Sequence, residues 1–253
     1  MRVVIIGTGN VARVLFGRIG STAHSVIQVV GRKSDPGEAF AATPYVSDLS
    51  LIDRTADLYI VAISDSGLSA LHEQVRLPGR LVVHTAGSVK AEVLREVSPE
   101  YGVLYPLQTL RSGLTGDDVV IPFLVDGAGE TAVGKIESFA RDLSGLVRRT
   151  NDEERLRLHL AAVVVNNFTN YLYAEAARFC TESGADFALL QPLIEQTALQ
   201  LRNFAPHALQ TGPARRGDTG TMHKHLDLLQ NNPSLQELYA FMSKAILHSV
   251  KMP

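Results

Sequence analysis

The opening twelve residues constrain this chain more than any others. Met1-Arg2-Val3-Val4-Ile5-Ile6 is a short β-branched apolar run, and Gly7-Thr8-Gly9-Asn10-Val11-Ala12 follows it without a gap. The pattern is a strand that turns into a helix through G-x-G-x-x-A. Gly7 permits the tight turn, Gly9 has no Cβ to hold a pyrophosphate away, and Ala12 lets the helix pack close on the strand. The helix start offers unpaired N–H groups and the positive end of its dipole to phosphates. A dinucleotide suits these features, held by Gly7, Thr8, Gly9, Asn10 and Val11. The plainer alternative is a structural βα turn with no ligand.

The second strand selects among dinucleotides. Ser25–Val30 reads as a strand that ends at Gly31-Arg32-Lys33-Ser34. In NAD-binding chains a carboxylate about 20 residues past the glycines bonds the ribose 2′-hydroxyl, whereas an arginine there accommodates a 2′-phosphate. Arg32, Lys33 and Ser34 therefore favour NADP(H) over NAD(H). A solvated basic turn is the alternative.

Bulk properties exclude several rivals. Of 253 residues 45% are hydrophobic, enough for one large core or two ordinary ones. A net charge of −2 gives no electrostatic case for nucleic acid or an anionic membrane surface. The single cysteine, Cys180, excludes an internal disulfide and a cysteine-cluster metal site. No histidine–carboxylate group has metal spacing, so no metal is expected. The start has no signal-peptide pattern, and no apolar run reaches the roughly 18 residues of a membrane span. A soluble, cytoplasmic protein is expected.

Up to about Thr150, strands and helices alternate. Leu58–Ile63 is nearly continuous in apolar residues, as a strand buried on both faces should be. Asp65 or Ser66 is placed to cap the helix after it. Arg80–His84, Val103–Tyr105, Val119–Val125 and Leu146–Arg149 read as further strands, and Val89–Val97 and Glu130–Leu143 as helices. The expected fold is α/β, a Rossmann-like doubly wound parallel sheet over residues 1–150, followed by an all-helical domain over 151–253. Ligands then sit beyond the carboxyl ends of the strands.

The helical half opens with Asn151 and Glu154 in capping-pair spacing. One long helix is expected from Asp152 to about Glu182, ended by Gly184. Others are expected over Asp186–Asn203 and Thr221–Gln230, and from Asn232-Pro233 to about Val250, with 205–220 irregular. Leu158–Phe168 is almost wholly apolar, which implies a helix through the core of the second domain. His159, Asn166, Asn170 and Tyr173 nevertheless fall on one stripe about 60° wide. Buried polar groups without partners cost about 1–3 kcal/mol each. The stripe therefore faces either a ligand near the nicotinamide or a hydrogen-bonded packing contact.

Other candidates follow the strands and loops. Ser64 follows the central strand. His84-Thr85-Ala86-Gly87-Ser88 offers an imidazole, hydroxyls and accessible backbone, and Tyr105–Thr109 adds a phenol and an amide. His84 is placed for proton transfer, or is a capped core residue. Arg215 and Arg216, in a Gly/Pro-rich loop, suit an anionic substrate or the cofactor; alternatively they are solvated while Asp218 caps the next helix.

Together these segments resemble the 6-phosphogluconate dehydrogenase-like superfamily. The N-terminal half resembles pyrroline-5-carboxylate reductase and deazaflavin-linked NADP oxidoreductases. The whole chain resembles a subfamily of oxidoreductases whose C-terminal domain has no known function, through His84–Ser88, Tyr105–Thr109, His159–Ala162 with Asn166–Phe168, and Thr211–Pro213 leading to Arg216-Gly217-Asp218. The resemblance implies NADP(H) binding and a homodimer formed through the helical domain. It does not supply a substrate. Hydroxyacid dehydrogenases of this superfamily carry a lysine one turn before the helix asparagine; here Ala162 and Val163 stand there. Imine reduction, or hydride exchange with another redox cofactor, fits better than lysine-dependent oxidation.

The expected function is an NADP(H)-dependent oxidoreductase acting on a small, anionic imine or carbonyl. Ser64, Ala86, Gly87 and Ser88 would flank the nicotinamide. His84, His159 and Asn166 would serve catalysis, and Asn170, Arg215 and Arg216 would bind substrate. A non-catalytic NADP(H) sensor is the alternative. The basic turn argues against a methyltransferase.

Overall fold

The computed structural model describes residues 1–111 and 119–251. It divides into two compact units, Met1–Asn167 and Phe168–Pro253. The first is built on β1 (Arg2–Ile6), α1 (Asn10–Gly20), β2 (Ser25–Val30), β3 (Tyr45–Val46), β4 (Leu58–Val61), α2 (Asp65–Ser69) and α3 (Leu71–Gln74). It continues through β5 (Leu81–His84), β6 (Tyr101–Pro106), β7 (Phe123–Gly127), α4 (Glu130–Leu143), β8 (Val147–Arg149) and α5 (Asp152–Ala162).

The strands form one sheet in the order β3-β2-β1-β4-β5-β6-β7-β8. Alternate residues of the central strands point to opposite faces. Val3, Ile5 and Ile60 pack with Ala12, Leu15 and Ile19 of α1 and with Ile136 and Phe139 of α4. Val4, Ile6, Tyr59 and Val61 pack with Leu68 of α2 and Leu71 of α3. Helices on both faces explain why β1 and β4 are apolar without alternation.

Several expectations need correcting. The sheet is not wholly parallel. β7 runs antiparallel to β6, with Pro106 opposite Phe123, and β8 runs parallel to β7. The strand expected from Val119 begins at Phe123, and residues 112–118 lie outside those described. Strand β3 had no sequence signal, being two residues long. Val89–Val97 forms only a 3-10 turn, Ala91–Leu94. Ser64, not Asp65 or Ser66, is the N-cap residue of α2.

The strands end at Arg149, while compactness carries the first unit on to Asn167. The cause is that α5 is tied back to the sheet through hydrogen bonds of Asp152, Arg155 and His159.

After α5 the helical run continues through a π segment, Val163–Phe168. The second unit holds α6 (Thr169–Ser183), α7 (Gln191–Gln200), α8 (Pro213–Arg216), α9 (Thr219–Leu228) and α10 (Pro233–Lys251). Gly184 ends α6 at φ 74°, the left-handed conformation that glycine adopts freely. Phe187–Leu190 is a separate 3-10 turn before α7. The apolar run 158–168 is not the buried core that its composition implied. Leu160, Val165 and Phe168 are 63%, 71% and 58% exposed.

Candidate functional site

The parallel register brings several strand ends to one edge. Ile6 pairs with Val30 and Val61, and Val61 pairs with His84. Gly7, Gly31, Ala62–Ser64 and Thr85–Gly87 therefore emerge side by side, at the carboxyl ends where such sheets bind ligands.

Gly7 has φ 125°, and a Cβ there would lie 2.1 Å from the Ala62 carbonyl oxygen. Its amide donates to the Val30 carbonyl at 2.8 Å. Gly7 thus closes the turn against both neighbouring strands. Gly9 plays the other part: nothing lies within 4 Å of where its Cβ would project. It is the N-cap residue of α1, no side chain caps that end, and no acid lies in the first turn. The amides at the start, from Asn10 and Val11 onward, are the ones a helix leaves without intrahelical partners. Arg13, which sequence reasoning passed over, donates through Nε to the Thr8 carbonyl at 3.3 Å and adds a cation beside the turn. This open, cationic helix start fits the diphosphate of a dinucleotide.

Arg32, Lys33 and Ser34 follow β2 on exposed backbone. Tyr45 donates its hydroxyl to the Lys33 carbonyl at 2.6 Å, which pins the turn. Arg32 lines an open pocket of about 400 Å³ with Gly31, Ser47, Asp48, Ser50 and Gln74.

His84 corrects an expectation. It is fully buried, its Nδ1 accepts from the Ala86 amide at 3.1 Å, and Nε2 donates to the Lys90 carbonyl at 3.3 Å. Burial, with help from the Arg155 charge, lowers its pKa to about 4. With both nitrogens engaged and the ring neutral, His84 shapes the 85–90 loop and has no atom left for a substrate.

Tyr105 and His159 meet beside the same loop. The phenol and His159 Nδ1 are 2.9 Å apart, with the rings edge to face. Both lie on Gly87, where a Cβ would come within 2.7 Å of Nδ1 and 2.8 Å of Tyr105 Cζ. Ala86 and Gly87 thus form the floor under this pair. Ser88 donates its hydroxyl to the Asp65 carboxylate, which ties the loop to α2 beside exposed Ser64. Asn166 donates to the Thr109 hydroxyl. The stripe read from the sequence therefore faces the sheet's ligand edge at His159 and Asn166.

A buried arginine, which no motif flagged, supports the arrangement. Arg155 is 1% exposed; its Nη2 donates to the Val89 carbonyl and to Asp152, each at 2.6 Å, and Nη1 reaches Asp126 at 3.4 Å. Asp152 also accepts from the Ala91 amide. Arg155 stands one turn before His159 on the same helical face. That spacing is the signal that could have found it.

Asn170, Arg215 and Arg216 belong to the second unit. Asn170 is exposed on α6. Asp218 accepts from the Thr221 amide at 3.0 Å and so caps α9, while both arginines are exposed on α8. Among the described residues, no group of histidine, cysteine, aspartate or glutamate could hold a metal. No described helix is long and apolar enough to cross a membrane.

Comparison with known proteins places the chain. A Bacteroides fragilis protein described as an NADP oxidoreductase is 34% identical over 98% of both chains, with a TM-score of 0.90. The model of the domain of unknown function DUF2520 matches residues 121–246. The chain belongs to the same family as this Bacteroides fragilis protein, and its C-terminal half carries the DUF2520 domain. More distant solved structures share its fold. An imine reductase from Myxococcus stipitatus in complex with NADP+ is 14% identical over 99% of this chain and 94% of its own, with a TM-score of 0.67. A 1-pyrroline-5-carboxylate reductase from Streptococcus pyogenes is 16% identical over 98% of each, with a TM-score of 0.61. No curated protein matches.

Proposed function

We propose that this DUF2520 protein is an NADP(H)-dependent oxidoreductase that reduces a small, anionic imine or carbonyl. One arrangement carries the reading: an uncapped helix start behind Gly9, beside the Arg32 turn, on the sheet edge that also presents Gly87 and His159. Gly7, Thr8, Gly9, Asn10 and Val11 hold the diphosphate, Arg32, Lys33 and Ser34 the 2′-phosphate, and Ser64 and Ala86–Ser88 the nicotinamide ribose and ring. The nicotinamide, when bound, supplies the hydride. His159 holds the proton and Asn166 orients substrate. The exposed apolar residues at 160–168 support a homodimer formed through the helical half, because a patch of this kind on a lone chain calls for cover.

The test begins with ligand-dependent melting. NADPH at about 100 times its Kd should stabilise the protein by about 2.7 kcal/mol. Arg32→Glu should weaken NADPH binding about 100-fold and NADH binding far less, since hydrogen bonds to charged groups contribute most of the difference. An equal loss for both nucleotides would reduce Arg32 to a structural role. A panel of cyclic imines and 2-oxo acids, followed by NADPH absorbance, tests turnover.

A further inference from the structure

Resting on the reductase reading above, we propose that Tyr105 is a positioning residue that makes His159 the proton donor to a neutral carbonyl or imine.

Three contacts hold the imidazole. The Tyr105 hydroxyl lies 2.9 Å from Nδ1. Gly87 backbone packs under both rings, with no space for even a methyl group. One turn earlier, Arg155 anchors the same helix to the Val89 carbonyl. The segment Tyr105–Thr109 is fastened to the helix again where Thr109 accepts from Asn166. The ring therefore has no freedom to swing.

This role specifies the imidazole tautomer. Burial raises the Tyr105 pKa, so the phenol keeps its proton at neutral pH. A neutral phenol can donate or accept; in this role it donates to Nδ1, and the imidazole proton then sits on Nε2. Among the described residues His159 hydrogen-bonds through Nδ1, which leaves Nε2 available to a ligand.

The proton step balances. A bound dihydronicotinamide would supply the hydride, and the C=N or C=O electron pair of the substrate would move to the heteroatom. That atom takes the proton from Nε2, while Nδ1 takes the phenolic proton. Tyr105 is left as a phenolate near the Arg155 charge and recovers its proton from water. Hydride exchange with a second redox cofactor needs no such donor, so the pair favours a substrate with a heteroatom to protonate.

Two readouts on Tyr105→Phe test this. In ¹⁵N-histidine spectra of the ligand-free protein, wild-type His159 should carry its proton on Nε2. The variant should shift the Nδ1 resonance and lose that preference. In turnover, kcat should fall about 30-fold, with KM and NADPH affinity within about twofold of wild type. His159→Gln, which keeps a donor near the Nε2 place, should retain more activity than His159→Phe. An unmoved imidazole signal overturns the proposal, and so does a moved signal with unchanged kcat. A wild-type protein that binds NADPH but reduces nothing in the panel overturns the reductase reading and this assignment with it.

Discussion

Replacing Gly7 with alanine should destabilise the protein by about 4 kcal/mol and abolish measurable dinucleotide binding. Two costs combine. At φ 125° an L-residue is strained whatever surrounds it, and the new methyl would lie 2.1 Å from the Ala62 carbonyl oxygen. That oxygen belongs to backbone at the end of β4, so it cannot rotate away as a flexible side chain would. Relief requires β1 and β4 to separate where Ala62 donates to the Ile6 carbonyl at 2.7 Å. Gly9→Ala provides the contrast. Its Cβ meets nothing within 4 Å, so stability should change by less than about 1 kcal/mol. Its effect should appear in NADPH affinity, because the methyl occupies the approach to the helix start. Denaturant melts of the two variants, with and without NADPH, separate these outcomes. Similar stability losses for both would refute the division of labour between the two glycines.

Acidification should cost the fold about 3 kcal/mol through His84 alone. An unfolded histidine titrates near 6.5, whereas buried His84 titrates at about 4. Between these values the unfolded chain binds a proton that the native chain refuses, so acid favours unfolding. The penalty is absent above about pH 6.5, grows as pH falls, and is complete below about pH 4. His84→Gln keeps a donor for the Lys90 carbonyl and removes the titration. The wild type should therefore show a steeper loss of Tm from pH 7 to 5 than the variant does. Comparing slopes cancels the carboxylates common to both proteins, Asp126 among them. Parallel slopes would mean that His84 reaches water in the native state.

The parallel half of the sheet was legible because its signals are local. MRVVII and LYIV are apolar without alternation, which only two-sided burial requires, and the G-x-G-x-x-A turn names its own geometry. Glu130–Leu143 appears with the bounds its periodicity gave. The antiparallel turn of β7 was hidden because strand direction depends on pairing partners, not on composition. The role of His84 was hidden for a similar reason. A histidine at a strand end looks the same whether its nitrogens face a cleft or its own loop, and only the Ala86 amide and Lys90 carbonyl decide it. Arg155 resembled an ordinary charge on a helix, since nothing local shows that three backbone and carboxylate partners converge on it. The exposed 160–168 run marks a further limit, because hydrophobicity predicts that a surface will be covered without saying by what.

The reversal of β7 has a consequence for how this scaffold can vary. Parallel neighbours need a crossover that returns the chain to the opposite end of the sheet, but antiparallel neighbours can be joined at one end. Pro106 pairs with Phe123, and the Leu107 amide bonds the Pro122 carbonyl at 2.8 Å, so the connection between them leaves and re-enters on the ligand side. The described residues on either side of that connection, 107–111 and 119–122, therefore extend from the same edge as Gly7 and Gly87, on segments separate from β1, β2 and β4.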